Sequence, residues 1–291
     1  MNQNKKIDII IPSWNSMPEL EDCLKSLKPA FGKHLGDIII IDKYSKDGTI
    51  DCAMKYKCHI IWSKDTLGHA RLLGLNAAST KWVAFIDSDI VLPKDWFLSM
   101  WAWKTTMEMR MRGCIKKIIG WIYGYTKEDI EFVERDHEWK RQLRNNLPRI
   151  LKLGAFERAY TNNTLCLREP LLDAPIENLN AWEDFYLGQW MIKKGYSVIE
   201  VPVSCIHLKH GVYEKFNLYT ENWGICGELE AKGWNPRTML RPFYFVWWGF
   251  RCCWHFKDLK YFIYYYNICI GMLKAMYFNR KKSFSWSRDL K

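Results

Sequence analysis

The stretch WVAFIDSD, residues Trp82–Asp89, ends a strongly apolar run with two carboxylates one residue apart. An uninterrupted apolar run of this length predicts a strand that is buried on both faces. Such a strand belongs inside a sheet, yet the carboxylates of Asp87 and Asp89 must stay solvated, paired or bound to a ligand. Because residues i and i+2 of an extended chain point to the same side, both carboxylates can face one ligand.

The first hundred residues alternate between strand and helix patterns. Continuous apolar runs separated by amphipathic segments predict an α/β fold with a mostly parallel sheet that helices cover on both faces. In such a sheet the ligand lies beyond the carboxyl ends of the strands, so the residues there are candidates for binding. The predicted strands span residues 7–12, 37–42, 58–63 and 82–87, and the predicted helices span 17–27, 69–79 and a stretch from Thr49.

The patterns in the rest of the chain are weaker. Residues 104–148 contain basic, Trp-containing stretches that we interpret as helices over or beside the site. A strand is predicted at 161–169, a helix from about Trp182, and a further strand at 197–202. The sequence contains no internal repeat or low-complexity linker, so we expect one sheet-centred domain with a helical C-terminal extension.

The basic charge is concentrated in the last fifth of the chain. The whole protein has a formal net charge of +11, which favours anionic partners. Residues 237–291 hold eleven Lys or Arg against two Asp, and 17 of the 45 aromatic residues lie between Phe243 and Trp286. Basic and aromatic residues interleaved in this way are typical of a membrane interface. The alternative is an ordinary aromatic-rich helical tail packed on its own domain.

Three features of the sequence bear on location. The longest uncharged run of the tail, residues 261–273, is 13 residues long, whereas a helix that crosses a bilayer needs about 20. The amino terminus passes from a short basic start directly into a strand pattern, so we expect no signal peptide. The ten cysteines include no C-x-x-C pair, which is typical of reduced thiols. We therefore expect a cytoplasmic protein that is peripheral on the cytoplasmic face of a membrane.

Carboxylates and imidazoles near the predicted strand ends suit metal and nucleotide chemistry. Asp87 and Asp89 fit a hard cation, Mg²⁺ or Mn²⁺, which is commonly held by one or two carboxylates and by substrate phosphates. Asp42 can accept hydrogen bonds from a base or a ribose, or it can form a turn. His207 or His210 can complete a metal site through a neutral ring nitrogen, unless it is simply packed. We prefer His207.

Residues 180–195 contain a second pair of carboxylates. Asn180 and Glu183 approximate a capping box, which gives Glu183 a structural interpretation. Asp184 is not needed for the cap. In the first turn of a helix its charged form is favoured by the helix dipole, and it can take a proton from a substrate hydroxyl within hydrogen-bond reach. The alternative is an ordinary exposed Asp.

Four motifs stand in a characteristic order. They are Pro-x-x-Asn at 12–15, Asp-x-x-x-x-Asp-Gly-Thr at 42–49, Asp-x-Asp at 87–89 and Glu-Asp at 183–184. Their order and spacing resemble the family 2 glycosyltransferases, which are inverting enzymes of the GT-A fold. The resemblance is good over residues 5–100 and moderate over 160–210.

The resemblance implies a domain organisation as well as a fold. It predicts a GT-A domain over residues 1–235, followed by a basic, aromatic and amphipathic region over 236–291. Within the domain it predicts a nucleotide-sugar-binding half at 1–100, a helical insertion at 101–160 and an acceptor and catalytic half at 161–235.

The resemblance also implies roles for individual residues. Asp184 matches the catalytic base, and Glu183 would contact the acceptor or support the structure. Asp89 is the candidate for direct metal ligation, together with His207. The residues that match the nucleotide-sugar site are Pro12, Asn15, Asp42, Arg71, Asp87 and Asp89.

The chain departs from the family pattern at three positions. Lys43 and Tyr44 replace the usual second acidic residue and Gly, and Leu72 replaces a common Asn. The Q-x-x-R-W signature of processive synthases is absent, which predicts that one sugar is added per encounter.

The resemblance implies transfer of one hexose from a UDP- or GDP-sugar, with Mn²⁺ or Mg²⁺. The aromatic, basic tail favours a lipid-linked acceptor such as a polyprenyl phosphate or a lipid-linked glycan. A glycan or protein acceptor is the main alternative. A nucleic-acid-binding protein is disfavoured, because the aromatic residues occur in apolar blocks and the carboxylates would repel phosphate. A nucleotidylyltransferase and an inactive nucleotide-binding relative are the remaining alternatives.

Overall fold

The computed structural model describes residues 6–111, 118–128, 131–143, 147–152, 158–208 and 236–279. The chain divides into two compact units. The sheet unit comprises Met1–Asp129, His137–Leu179 and Glu183–Leu208, and the helical unit comprises Ile130–Asp136, Asn180–Trp182 and Lys209–Lys291. The predicted domain boundary after residue 235 lies at the edge of the undescribed segment 209–235 and stays a prediction.

A nine-stranded sheet forms the centre of the sheet unit, in the order β3-β2-β1-β4-β8-β6-β9-β5, with β7 paired to β9. The strands are β1 (Ile7–Ser13), β2 (Leu35–Asp42), β3 (His59–Trp62), β4 (Trp82–Ile86), β5 (Ile90–Val91), β6 (Ile119–Glu128), β7 (Arg149–Ile150), β8 (Asn163–Leu167) and β9 (Ser197–His207). The helices are α1 (Glu19–Phe31), α2 (Thr49–Lys55), α3 (Leu67–Ala77), α4 (Trp96–Met111) and α6 (Glu183–Lys193), while α5 (Glu131–Leu143) contributes residues to both units. Short 3₁₀ turns lie at Gly32–His34 and Glu169–Leu171.

The first four strands are parallel, as the alternating pattern predicted. The isoleucines and valines of β1 and β4 and residues Ile39–Ile41 of β2 are buried on both faces, because α-helices cover the sheet, whereas the isoleucines of the outer strand β3 are partly exposed. The register sets Ser13 beside Asp42 and Asp42 beside Trp62, so the last residues of β1, β2 and β3 form one row. This row is the edge at which ligand-binding residues were expected.

Strand β6 corrects the prediction that residues 101–160 form a helical insertion. Helices α4 and α5 do lie in this range, but β6 runs through the sheet between β8 and β9. Trp121, Ile122 and Tyr123 are all fully buried, but Gly120 and Gly124 interrupt the apolar run, and this weakens the strand pattern in the sequence. Gly124 allows a close approach of the neighbouring backbone, because a Cβ atom there would lie 1.9 Å from the carbonyl oxygen of Val203.

Two long helices dominate the helical unit, α7 (Pro236–Phe256) and α8 (Leu259–Asn279). A buried carboxylate, that of Asp136, joins them: it accepts hydrogen bonds from Trp248 Nε1 at 2.8 Å, from Cys252 Sγ at 3.2 Å and from the hydroxyl of Tyr265. Burial raises the pKa of Tyr265, and the adjacent Asp136 raises it further. The helical character predicted for the tail is thus confirmed over residues 236–279.

None of the helices in the described residues combines the length and the hydropathy that crossing a membrane requires.

Candidate active site

Arg71 connects two of the motifs that are far apart in the sequence. It lies on α3, whose first turn is capped by Thr66, and its side chain is buried beside the sheet. Its Nη2 donates to Asp87 Oδ1 at 3.0 Å, and its Nε donates to Glu183 Oε1 at 3.1 Å. The Asp-x-Asp strand end and the Glu-Asp helix start are therefore joined by one guanidinium.

The position of α3 against the sheet depends on a glycine. A Cβ atom on Gly74 would lie 2.3 Å from Ile10 Cγ2, so only a glycine lets the helix approach β1 this closely. This close approach brings the Arg71 side chain, one turn earlier on the same helix, to the end of β4.

Burial and ion pairing have opposite effects on the pKa values of Arg71 and Glu183. Burial by itself lowers the pKa of Arg71, but the carboxylates of Asp87 and Glu183 outweigh it, so the pKa is raised. Burial raises the pKa of Glu183, and the attraction of Arg71 opposes that rise. Arg71 Nη1 is buried without a hydrogen-bond partner. The side chains of Arg71 and Glu183 are buried whereas that of Asp87 is partly exposed, so removal of Arg71 would leave the buried Glu183 carboxylate without its cation.

The interpretation of Glu183 as part of a capping box was wrong. Helix α6 begins at Glu183 itself, so Asn180 is too far upstream to cap it and Glu183 is not the third residue of the first turn. The carboxylate reaches Arg71 instead. The sequence could not separate the two roles, because a Glu near a helix start can complete a capping box or pair with an Arg from a distant part of the chain.

Asp184 has a partner that the sequence did not suggest. Arg158 Nε donates to both carboxylate oxygens at 3.0 Å, and Arg158 Nη2 lies 2.7 Å from Oδ2. The backbone N–H of Phe185 also donates to Asp184 Oδ1, at 2.7 Å. The Asp184 side chain is 4% exposed and that of Arg158 is 34% exposed, so the guanidinium is the more accessible of the two. Burial lowers the pKa of Arg158, but Asp184 outweighs it and raises the pKa overall.

Asp89 and His207 lie together where β5 pairs with the end of β9. Strand β5, which follows Asp89, pairs with the last residues of β9, and Ile90 stands opposite His207. His207 Nε2 is 3.0 Å from Asp89 Oδ2, and both side chains are partly exposed. His210, the other imidazole considered from the sequence, lies outside the described residues.

The Asp89–His207 pair fits two ligands of an octahedral cation. Neighbouring ligands at about 2.1 Å from such a cation stand about 3 Å apart, which matches the distance between these two atoms. One carboxylate and one imidazole suit a first-row transition ion such as Mn²⁺ better than Mg²⁺. The described residues contain no cluster of three or more His, Cys, Asp or Glu side chains arranged for a metal, so phosphate and water would supply the other ligands.

Asp42 lies at the predicted strand end, where its carboxylate links the end of β1 to the loop that follows β2. It is fully buried, and it accepts hydrogen bonds from Ser13 Oγ at 2.7 Å, from Ser45 Oγ at 2.6 Å and from the Ser45 backbone N–H at 2.7 Å. Asn15 joins the same loops, because its N–H donates to Ser45 Oγ and its Oδ1 accepts from the Lys46 N–H.

The remaining contacts link these loops to the Asp-x-Asp motif. Pro12 lies on β1 one residue before its end, paired with Ile41. Ser88, between the two aspartates, donates its hydroxyl to Ser16 Oγ at 2.9 Å. A continuous set of contacts thus runs from the end of β1 through the Asp-x-Asp motif to the start of α6.

Sequence comparisons match part of this chain to glycosyltransferases. A *Bacillus subtilis* (strain 168) glycosyltransferase provisionally assigned to teichuronic acid biosynthesis is 32% identical over 101 residues, which cover 32% of this chain and 40% of that protein. An uncharacterized *Escherichia coli* (strain K12) glycosyltransferase is 30% identical over 102 residues, covering 31% and 27%. The chain therefore matches less than half of the length of either relative.

Solved structures show the fold. Glucosyl-3-phosphoglycerate synthase from *Mycobacterium tuberculosis*, in complex with Mn²⁺, UDP and glucosyl-3-phosphoglycerate, superposes with a TM-score of 0.53 at 18% identity, over 77% of this chain and 79% of that one. The same synthase with Mg²⁺ and UDP gives a TM-score of 0.53 at 19% identity, over 77% and 78%. The predicted GT-A-type α/β fold is thereby confirmed.

The motifs, the fold and the relatives lead to one family. The model of glycosyl transferase family 2 matches residues 8–156, which contain the first three motifs and Arg71. This match covers just over half of the chain, so the protein belongs to glycosyl transferase family 2.

Proposed function

We propose that the protein transfers one hexose from a nucleotide-diphosphate sugar to an acceptor, with inversion at the anomeric carbon. The observation that carries this proposal is the contact of Arg71 with both Asp87 and Glu183, which brings the donor-binding and acceptor-side motifs to one place. The relatives that carry UDP with Mn²⁺ or Mg²⁺ have the same fold and support a nucleotide donor.

Asp89 and His207 are the residues that would hold a divalent cation. When bound, Mn²⁺ or Mg²⁺ neutralises negative charge on the diphosphate as it leaves. Arg71, a buried cation, holds the carboxylate of Asp87, which in our proposal contacts the ribose or the diphosphate of the donor. Arg71, predicted as a donor-binding residue, is 1% exposed and acts in our proposal by positioning Asp87 and Glu183.

The acceptor attacks the anomeric carbon from the face opposite the departing diphosphate, and this in-line displacement inverts the centre. Asp184 either takes the proton of an acceptor hydroxyl or orients the acceptor. In the structure both of its oxygens are engaged by Arg158, so Arg158 must release one of them before Asp184 can accept a proton. An acceptor that brings its own anionic oxygen would not need that proton transfer and would be attracted to Arg158.

The Asp184→Asn variant tests this role. With a hydroxyl acceptor, loss of the base should lower kcat by about 10²–10⁴-fold, whereas with a polyprenyl phosphate acceptor the loss should be much smaller. Turnover of radiolabelled or chromogenic donors with each acceptor class measures the difference. Asp173→Asn, which removes a carboxylate paired with Lys194, is the matched control and should turn over like the wild type. Unchanged turnover of Asp184→Asn with every acceptor would reject the catalytic role.

A lipid-linked acceptor is our preferred choice because of the exposed face of α7. Leu240, Phe243, Trp247, Phe250 and Trp254 recur at helical spacing and are 50–79% exposed. Residues 236–279 carry six Lys or Arg and one Asp, and both Arg251 and Lys257 lie over exposed tryptophan rings. Aromatic residues flanked by cations suit an anionic lipid surface. The predicted cytoplasmic location stays a prediction.

A liposome assay tests this face. The double variant Trp247→Ser, Trp254→Ser should reduce binding to vesicles of anionic lipid at least about tenfold, because each ring contributes on the order of a kcal/mol or more when it leaves water. Leu98→Ser, an exposed apolar residue on α4 of the sheet unit, is the control and should bind like the wild type. Equal binding by the double variant would remove the support for a membrane surface as partner.

The whole proposal is tested by a thermal-shift screen of UDP- and GDP-sugars with Mn²⁺, with Mg²⁺ and with chelator. A specific donor should raise the unfolding temperature only in the presence of a divalent ion, because binding to the folded state stabilises it by mass action. Stabilisation by every nucleotide regardless of metal, or by none, would contradict the proposal. A positive donor then enters a transfer assay in which the anomeric configuration of the product is read by NMR.

A further inference from the structure

Two exposed aromatic rings lie at the carboxyl edge of the sheet, beside Asp42. Tyr44 is 47% exposed and Trp62 is 46% exposed, and their ring centroids are 5.2 Å apart with the planes tilted by 36°. The register of β2 and β3 places Trp62 directly beside Asp42. The Nζ atom of Lys64 lies 4.8 Å from the centroid of the Tyr44 ring. A preformed aromatic surface with a cation therefore stands where a parallel sheet binds its ligand.

Asp42 is poorly placed to recognise a nucleobase by itself. An ionised carboxylate has about four acceptor positions, and Ser13 and Ser45 occupy three of those of Asp42. The residue is also fully buried. Recognition of the base must therefore come largely from neighbouring groups that are exposed.

The backbone of Tyr44 supports a role for its ring. Its φ is +58°, in the left-handed region that favours glycine and that a bulky residue rarely adopts. A glycine would adopt this conformation without strain, whereas this chain carries a tyrosine there. Lys57 has a similar φ, so the conformation supports a use for the Tyr44 ring only together with the exposure of that ring at the edge of the sheet.

We propose that Tyr44 and Trp62 form the surface on which the nucleobase of the donor stacks. This inference rests on the proposed function, because the ligand is the uridine or guanosine diphosphate part of the donor. Aromatic stacking contacts the π-face of a base and tolerates different bases. Lys64, over the Tyr44 ring, favours one orientation of that ring through a cation–π contact. In this chain the base is thus held by ring contact more than by the carboxylate of Asp42.

The competing explanation is that the two rings only shield the outer strand β3, which ends the sheet. The two explanations differ in what the Tyr44→Gly variant does. Shielding predicts lower stability with unchanged nucleotide affinity. Stacking predicts lower affinity with nearly unchanged stability, because relief of the left-handed backbone opposes the greater flexibility that glycine gives the unfolded chain.

Isothermal titration of the full chain with UDP, GDP and inorganic pyrophosphate, each with Mn²⁺, tests the proposal. Tyr44→Gly should bind both nucleotides roughly tenfold more weakly or worse, bind pyrophosphate as the wild type does, and unfold within about 3 °C of it. Trp62→Ser, which leaves the backbone at residue 44 unchanged, should show the same selective loss. Lys57→Gly is the matched control, because Lys57 has a φ of +56° but lies outside the site.

Wild-type affinity for UDP and GDP in both Tyr44→Gly and Trp62→Ser would overturn the stacking surface and leave the glycosyltransferase proposal intact. Equal loss of nucleotide and pyrophosphate affinity would also overturn it, since that result locates the defect at the diphosphate. If the wild type binds none of the three ligands with Mn²⁺, that result contradicts the proposed glycosyltransferase function itself. The three results are distinguishable in one set of titrations.

Discussion

Replacing Arg71 by Met should lower the free energy of unfolding by about 3–5 kcal/mol and abolish sugar transfer. The guanidinium is the partner of Asp87 and Glu183, and Glu183 is 5% exposed, so the change leaves a buried carboxylate without its cation. A loss of this size corresponds to a fall of roughly 10 °C in the unfolding temperature. Circular dichroism on heating measures the stability, and the transfer assay measures activity at a temperature where the variant is folded.

The lysine and control variants separate charge from geometry. Arg71→Lys keeps a positive charge but cannot donate to both carboxylates in the geometry of a guanidinium, so it should recover part of the stability and little of the activity. Arg168→Met is the matched control, because Arg168 Nε donates to the backbone carbonyl of Leu75 and not to a carboxylate. A variant at Arg71 that is as stable and active as Arg168→Met would contradict the bridging role.

The second large effect is expected at Asp89. Asp89→Asn should preserve the fold, because asparagine has the same shape and can still hydrogen-bond to His207. Donor affinity in Mn²⁺ should fall about a hundredfold or more, because a metal ligand is lost. In the presence of chelator the wild type and the variant should bind the donor equally weakly.

A second acid and imidazole pair provides the control for Asp89. Asp65 Oδ2, just before α3, lies 3.5 Å from Nε2 of His69 in the first turn of that helix. Asp65→Asn should leave metal-dependent donor binding unchanged. If Asp89→Asn binds Mn²⁺ and donor as tightly as Asp65→Asn does, Asp89 is not a metal ligand.

The first four strands and the residues at their ends could be predicted from the sequence. A parallel strand that helices cover on both faces is continuously apolar, so the polar residues at its end are easily recognised. Trp82–Asp89 shows both properties. Strand β6 could not be predicted in the same way, because Gly120 and Gly124 interrupt its apolar run and glycine weakens a strand pattern. Its pairing with β8 and β9 depends on residues elsewhere in the chain.

The partners of the site residues were less predictable than the residues themselves. Arg71 and Glu183 were both identified, but a local capping pattern competed with a contact between distant parts of the chain. Arg158 carried no sequence signal, since a single Arg outside any motif is usually a surface residue. Tyr44 was visible as a departure from the family pattern, whereas its left-handed backbone and its contact with Trp62 required the structure.

In the function that we propose, Asp89 and His207 would hold a divalent ion at the donor diphosphate. Crystals grown with Mn²⁺ and UDP test this site through the anomalous signal of manganese. We expect a single strong peak within about 2.3 Å of Asp89 Oδ2 and His207 Nε2, with diphosphate oxygens as further ligands. A manganese peak away from these two side chains, with UDP bound and Asp89 still hydrogen-bonded to His207, would rule out this metal site.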